Sequence, residues 1–97
     1  MRQPRTIKLS KQAQSVSGNL QIATSSRDDE YNNILVWLRG FNERLKYDPI
    51  ELLGKPFESH PSRRIERQMV SRCIVEVIFD VSDDGDTIYI LEVNFSE

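Results

Sequence analysis

Cysteine and histidine each occur once in this chain, and no apolar run approaches the roughly 20 residues that a membrane helix needs. Each shortage removes a class of function. A single thiol, Cys73, excludes an internal disulfide framework and a cysteine-rich zinc site. A single imidazole, His60, leaves no second histidine to share a metal, so no metal or other cofactor is expected. Residues 1–10 carry bases with no apolar stretch behind them, so no secretory leader is expected and a reducing cytoplasm is the expected location. What remains is 97 residues, 38% apolar and 29% charged. That suits one globular domain over 1–97 with a single modest core.

The net charge of −2 conceals a segregation along the chain. Residues 1–12 hold Arg2, Arg5, Lys8 and Lys11 with no acid. Residues 61–72 hold Arg63, Arg64, Arg67 and Arg72 against Glu66 alone, whereas residues 73–97 hold seven acids and no base. Screening acts over about 8 Å at physiological salt, so these local fields matter more than the total. The basic segments could attract an anion, and the acidic segment would partly oppose it.

Apolar periodicity places the elements. Thr6-Ile7-Lys8-Leu9-Ser10 alternates like a short strand. Residues 11–24 admit two readings. Ala13, Val16, Leu20 and Ala23 recur at helical spacing behind a capping Ser10, whereas Gly18 and the surrounding Ser and Asn would also suit a hairpin turn. The helical reading is favoured. A clearer helix follows, with Ser26 and Asp29 in capping-box spacing and Asp28, Asp29 and Glu30 at the positive end of the dipole. Tyr31, Ile34, Trp37, Leu38, Phe41 and Leu45 form its apolar stripe, so this helix is expected to supply most of the core, with Trp37 and Phe41 its largest contributors. Asp48-Pro49 ends it.

Residues 49–61 read as a connector broken by Gly54, Pro56 and Pro61. Three strands then close the chain. Residues 62–70 put Ile65, Arg67 and Met69 on one face and Arg64, Glu66 and Gln68 on the other. Cys73, Val75, Val77, Phe79 and Val81 alternate with Ile74, Glu76, Ile78 and Asp80. After a Ser82-Asp83-Asp84-Gly85-Asp86 turn, the last strand sets Tyr89, Leu91, Val93 and Phe95 against Ile88, Ile90, Glu92 and Asn94. The expected fold class is α+β: an N-terminal strand and two helices packed on a C-terminal antiparallel sheet, its other face mixed and carboxylate-bearing.

Several residues around the helix end and the closing hairpin carry a likeness to a known family. They are Asp48-Pro49 with Leu53-Gly54-Lys55-Pro56, then Val77-Ile78-Phe79-Asp80-Val81, then Thr87-Ile88-Tyr89-Ile90-Leu91-Glu92-Val93. Over about residues 46–93 the chain resembles the RelE/ParE superfamily of type II toxin–antitoxin toxins. The N-terminal third matches that superfamily by element order alone. The resemblance implies a toxin-like component neutralised by a partner antitoxin, acting either on messenger RNA at the ribosome or on DNA gyrase. RNA cleavage needs a base for the ribose 2′-hydroxyl, cations for the developing phosphorane charge and an acid for the leaving oxygen. Two departures bear on that chemistry. Val75-Glu76 stands where the family often has an arginine, and Asn94-Phe95-Ser96-Glu97 stands where it often has a histidine or arginine. A carboxylate at 76 would repel the scissile phosphate, which argues against a nuclease.

The candidate site residues follow from charge and pattern. Arg67 and Arg72 would stabilise phosphate if RNA cleavage survives, with Arg63, Arg64 and His60 as nucleic-acid or partner contacts. On a strand Arg63 and Arg67 share a face and Arg64 lies opposite, so the four arginines cannot form one patch. The competing reading is cross-strand pairing with Glu76, Asp80 or Glu92. Cys73 reads as a buried structural thiol, and Asp83-Asp84-Gly85-Asp86 lacks the spacing of a calcium loop. If it lies at a sheet edge, the final strand offers free backbone groups to an antitoxin segment or to a second copy of the chain. A non-catalytic interaction module forming a homodimer is the alternative function.

Overall fold

The computed structural model describes residues 3–25, 29–57 and 59–96, with the side chains of 20–25 set aside. In chain order it has β1 (Thr6–Leu9), α1 (Lys11–Ser25), α2 (Asp29–Tyr47), a 3-10 turn (Ile50–Leu52), β2 (Lys55–Phe57), β3 (His60–Val70), β4 (Cys73–Val81) and β5 (Thr87–Ser96). The fold is α+β: two helices cover one face of a five-stranded sheet ordered β1-β5-β4-β3-β2. Ser26, Asp28 and the side chains of Leu20 and Ala23 lie outside the described residues, and so does the capping pattern built on Ser26.

The sheet is mixed rather than antiparallel. β1 pairs with β5 in parallel, from Thr6 opposite Thr87 to Leu9 opposite Ile90. The final strand is therefore internal, and for most of its length it has no free edge to offer. The α1–α2 hairpin returns the chain across the sheet and makes this parallel pairing possible. Arg5 fastens the entry: its Nε donates to Gly85 O (3.0 Å) and its Nη1 to Leu45 O (2.9 Å). Its own N–H reaches Lys46 O at 3.1 Å, so carbonyls left open at the end of α2 are satisfied.

α1 runs unbroken through Gly18, as the favoured reading expected, and Ser10 caps it by accepting from the Ala13 N–H at 3.1 Å. Where β1 ends, side chains continue its pairing. Ser10 Oγ donates to Leu91 O (2.6 Å). The Gln12 amide donates to Val93 O and accepts from Val93 N–H, both at 2.9 Å. Two polar side chains thus seal a strand edge that would otherwise be bare.

On β4, Cys73, Val75, Val77 and Phe79 face the helices and are all nearly or fully buried, as their alternation implied. Phe79 is 0% exposed, touches Phe41 edge-on at 6.1 Å, and its burial contributes about 1.5–3 kcal/mol. On β5 the expected faces hold only in part. The register slips so that Ile78 opposes Glu92 and Phe79 opposes Ile90, leaving Leu91 unpaired. This bulge turns Ile88 and Ile90 onto the same buried face as Val93, and sends Tyr89 outward.

Two further expectations change. Trp37 is only partly buried; it stacks on Phe41 at 5.2 Å with an interplanar angle of 8°, while Ile34, Leu35, Phe41 and Leu45 are the buried residues of α2. The connector also contains a strand. Lys55–Phe57 pairs antiparallel with β3, and Pro56 is tolerated because an edge strand needs no donor on its outer side. Gly54 precedes it at φ +66°, where a Cβ would run into the Ile65 carbonyl.

Candidate binding face

The sheet face away from the helices carries two of the five charged candidates, Arg63 and Arg67. Register sets its rows. Arg63 lies opposite Asp80 and then Tyr89 and Lys8; Ile65 lies between Lys55 and Ile78; Arg67 lies opposite Glu76 and then Asn94; Met69 lies opposite Ile74 and then Ser96. Side chains on directly paired residues stand about 5 Å apart, close enough for ion pairing.

Both open-face arginines are engaged. Arg63 forks onto Asp80, with Nε to Oδ1 at 2.9 Å and Nη2 to Oδ2 at 3.3 Å. The bond to Asp80 raises the Arg63 pKa above its ordinary value, opposed by partial desolvation and helped by the negative charges of Asp80 and Glu92. Arg67 donates from Nε (3.0 Å) and Nη2 (2.7 Å) to Glu76 Oε2. The carboxylates thus stand in the place a phosphate oxygen would take on each guanidinium.

Arg64 points the opposite way. It lies on the helix side of β3, where Nε donates to Leu53 O at 2.6 Å and Nη2 to Gly54 O at 3.0 Å. That arginine holds the connector to the sheet. Arg72 is exposed in the two-residue turn between β3 and β4, and His60 is exposed at the start of β3, opposite Phe57; neither side chain makes a hydrogen bond or ion pair with the described residues. The five candidates therefore occupy four separate places, with only Arg63 and Arg67 sharing a face. They lie four residues apart, about 13 Å along the strand.

Lys8, Lys55 and Tyr89 also line this face. Lys8 Nζ sits 5.8 Å from the Tyr89 ring centroid. Sequence alternation assigned Tyr89 to the face of Val93 because nothing in the composition signals the bulge. Among the described residues no group of three or more His, Cys, Asp or Glu side chains could hold a metal ion. Cys73 is buried, with Sγ 3.5 Å from Glu30 Oε1. Asp84 is the acceptor in its turn, taking bonds from Ser82 Oγ (2.6 Å) and Asp86 N–H (2.9 Å), which lower its pKa.

No family model, no curated protein and no solved structure matches this chain.

A groove of about 460 Å³ also opens between the helices and the sheet, lined by Ala13, Leu35, Leu38, Phe41, Ile90 and Val93. Among the described residues its ionisable ones are Arg39 and Glu43. The open sheet face alternates paired charge with half-buried Ile65 and Ile78, and ends in exposed Met69 and Ile74. Such a surface suits recognition of another macromolecular surface better than bond-breaking at a phosphate. No helix of the described residues is long and apolar enough to cross a membrane.

Proposed function

We propose that this chain is a toxin-like component of a type II toxin–antitoxin pair, of RelE/ParE type, located in the cytoplasm and neutralised by a partner antitoxin. The observation that carries the reading is the arrangement itself. A strand, two helices and an antiparallel run of strands leave both helices on one sheet face and a cation-bearing face open. Recognition of the ribosome or of gyrase is favoured over cleavage of messenger RNA, because Asp80 and Glu76 occupy the guanidinium groups of Arg63 and Arg67. Removing a charge-stabilising donor from such chemistry commonly costs a hundredfold or more in rate. Controlled expression in a bacterial host tests the reading. Growth arrest is expected, and if RNA cleavage causes it the double substitution Arg67→Ala and Arg72→Ala relieves it. Unimpaired growth at high expression overturns it.

A second reading is favoured by a separate observation: a module that associates with itself. Met69 is 66% exposed and Ile74 39%, and they sit side by side at one end of the open face. Light scattering across a concentration series tests self-association directly, and a monomer throughout would remove it.

A further inference from the structure

Among the described residues the sheet has four stretches of edge, and three of them are guarded for most of their length. β1 is four residues long and carries Lys8. β2 is three residues long and carries Lys55 and Pro56. The part of β5 beyond β1 is sealed at Leu91 and Val93 by Ser10 and Gln12. Short strands, lysine, proline and covering side chains are the usual means of blocking unwanted pairing. The remaining stretch is the half of β3 that β2 does not reach.

β3 has 11 residues, and β2 pairs with it only as far as Ile65. The two-residue turn makes Val70 and Cys73 a hydrogen-bonded pair, so alternate residues back along β3 direct their backbone groups to β4. Arg67 and Met69 therefore point their N–H and C=O groups off the sheet. Pro56 opposite Arg64 agrees with this phase, because a proline must sit where no donor is needed. Among the described residues, the Arg67 backbone groups have no partner. Met69 O accepts only a 3.4 Å bond from the adjacent Gln68 side chain. The Arg67 guanidinium does not guard this edge, because it is drawn inward onto Glu76.

We propose that this edge pairs with the same edge of a second copy of the chain, antiparallel and two-fold symmetric about Gln68, giving one continuous sheet across the dimer. Self-complementarity of the segment selects this occupant and this register. Arg67 then meets Met69 of the partner subunit, Glu66 meets Val70 of the partner subunit, and the two Gln68 amides meet each other. No like charges are opposed, and both outward residues find full backbone partners, about four inter-subunit hydrogen bonds. Moving the axis to Arg67 sets guanidinium against guanidinium and collides with β2. Shifting it instead to Met69 pairs Arg67 with Ser71, which lies in the turn at φ 54° and cannot extend a ladder.

The helix layer borders this edge. Asn33 donates to Ser71 Oγ (2.9 Å) and Arg44 to Leu52 O (3.1 Å), which turns that flank of α2 toward β3. Trp37 and Gly40 fall between them at helical spacing, and nothing lies within 4 Å of a Cβ built on Gly40. The two flanks would face each other above the joined strands.

The interface rests on the self-association reading, and sedimentation of the full chain separates the two. The wild type is expected to be a dimer. Met69→Pro removes an outward donor while sparing the ladder to β4, and is expected to be monomeric with an unchanged far-ultraviolet spectrum. Gln68→Glu and Gln68→Lys should each weaken the dimer about twofold to fivefold by opposing like charges, and their mixture should restore it. A wild-type monomer overturns the interface and the self-association reading together. A wild-type dimer that ignores Met69→Pro, or single-charge variants that a mixture does not rescue, overturns this interface alone.

Discussion

The two faces of β4 are made by alternate residues of one nine-residue strand, yet they obey different physics. On the helix side Val75, Val77 and Phe79 are at most 1% exposed and touch hydrocarbon. On the open side Glu76 and Asp80 hold arginines of β3, with Ile78 between them and Ile74 at the end. The covered face gains its stability from area removed from water. The open face remains wetted, so its ion pairs gain little stability and serve to set charge pattern and register. The same contrast separates two arginines on β3. Arg64, on the covered side, satisfies two carbonyls of the connector, whereas Arg67, on the open side, satisfies a carboxylate that water could solvate equally well.

Mutation should reproduce that contrast in descending order. Phe79→Ala empties the best-buried ring position on the covered face, and chemical denaturation should register a loss of about 3–5 kcal/mol. A loss below about 1 kcal/mol would mean the helices do not pack where described. Arg64→Ala should cost about 1.5–3 kcal/mol, because the Leu53 and Gly54 carbonyls lose a charged donor in a part-buried place. Proteolysis within residues 49–57 should also speed up, since that segment loses its tie to the sheet. Arg67→Ala should cost about 0.2–1 kcal/mol, and a double-mutant cycle with Glu76→Ala should return a coupling of the same small size that shrinks in salt. A large Arg67 effect would make the two faces equivalent and remove the distinction.

The parts legible from sequence were those that repeat locally. The alternation of β4, the turn at Gly85, the helix ending before Asp48-Pro49 and the split of Arg64 from Arg63 and Arg67 all follow from strand and helix periods. Leu91 was not legible. An inserted residue changes the face of everything beyond it, and Leu is as acceptable in a bulge as in a ladder. Leu35 was also missed, because the stripe along α2 was drawn for one packing surface. α1 lies alongside and covers a second, which buries Leu35 while Trp37 stays at the margin on the other flank. Lys55-Pro56-Phe57 looked like a break because proline disrupts most strands; at an edge it does not.

Outside the β5 bulge, local spacing alone determined which residues could share a face, since side-chain direction follows backbone period within a few residues. Tertiary structure decided which strands became neighbours: β1 entering in parallel beside β5, the last strand moving from edge to interior, and β3 left with an open stretch beyond β2. Those outcomes depend on contacts between segments as much as 81 positions apart, such as the Gln12 amide on Val93. Their free energy comes from closing the whole sheet, and no local window of the chain contains both partners.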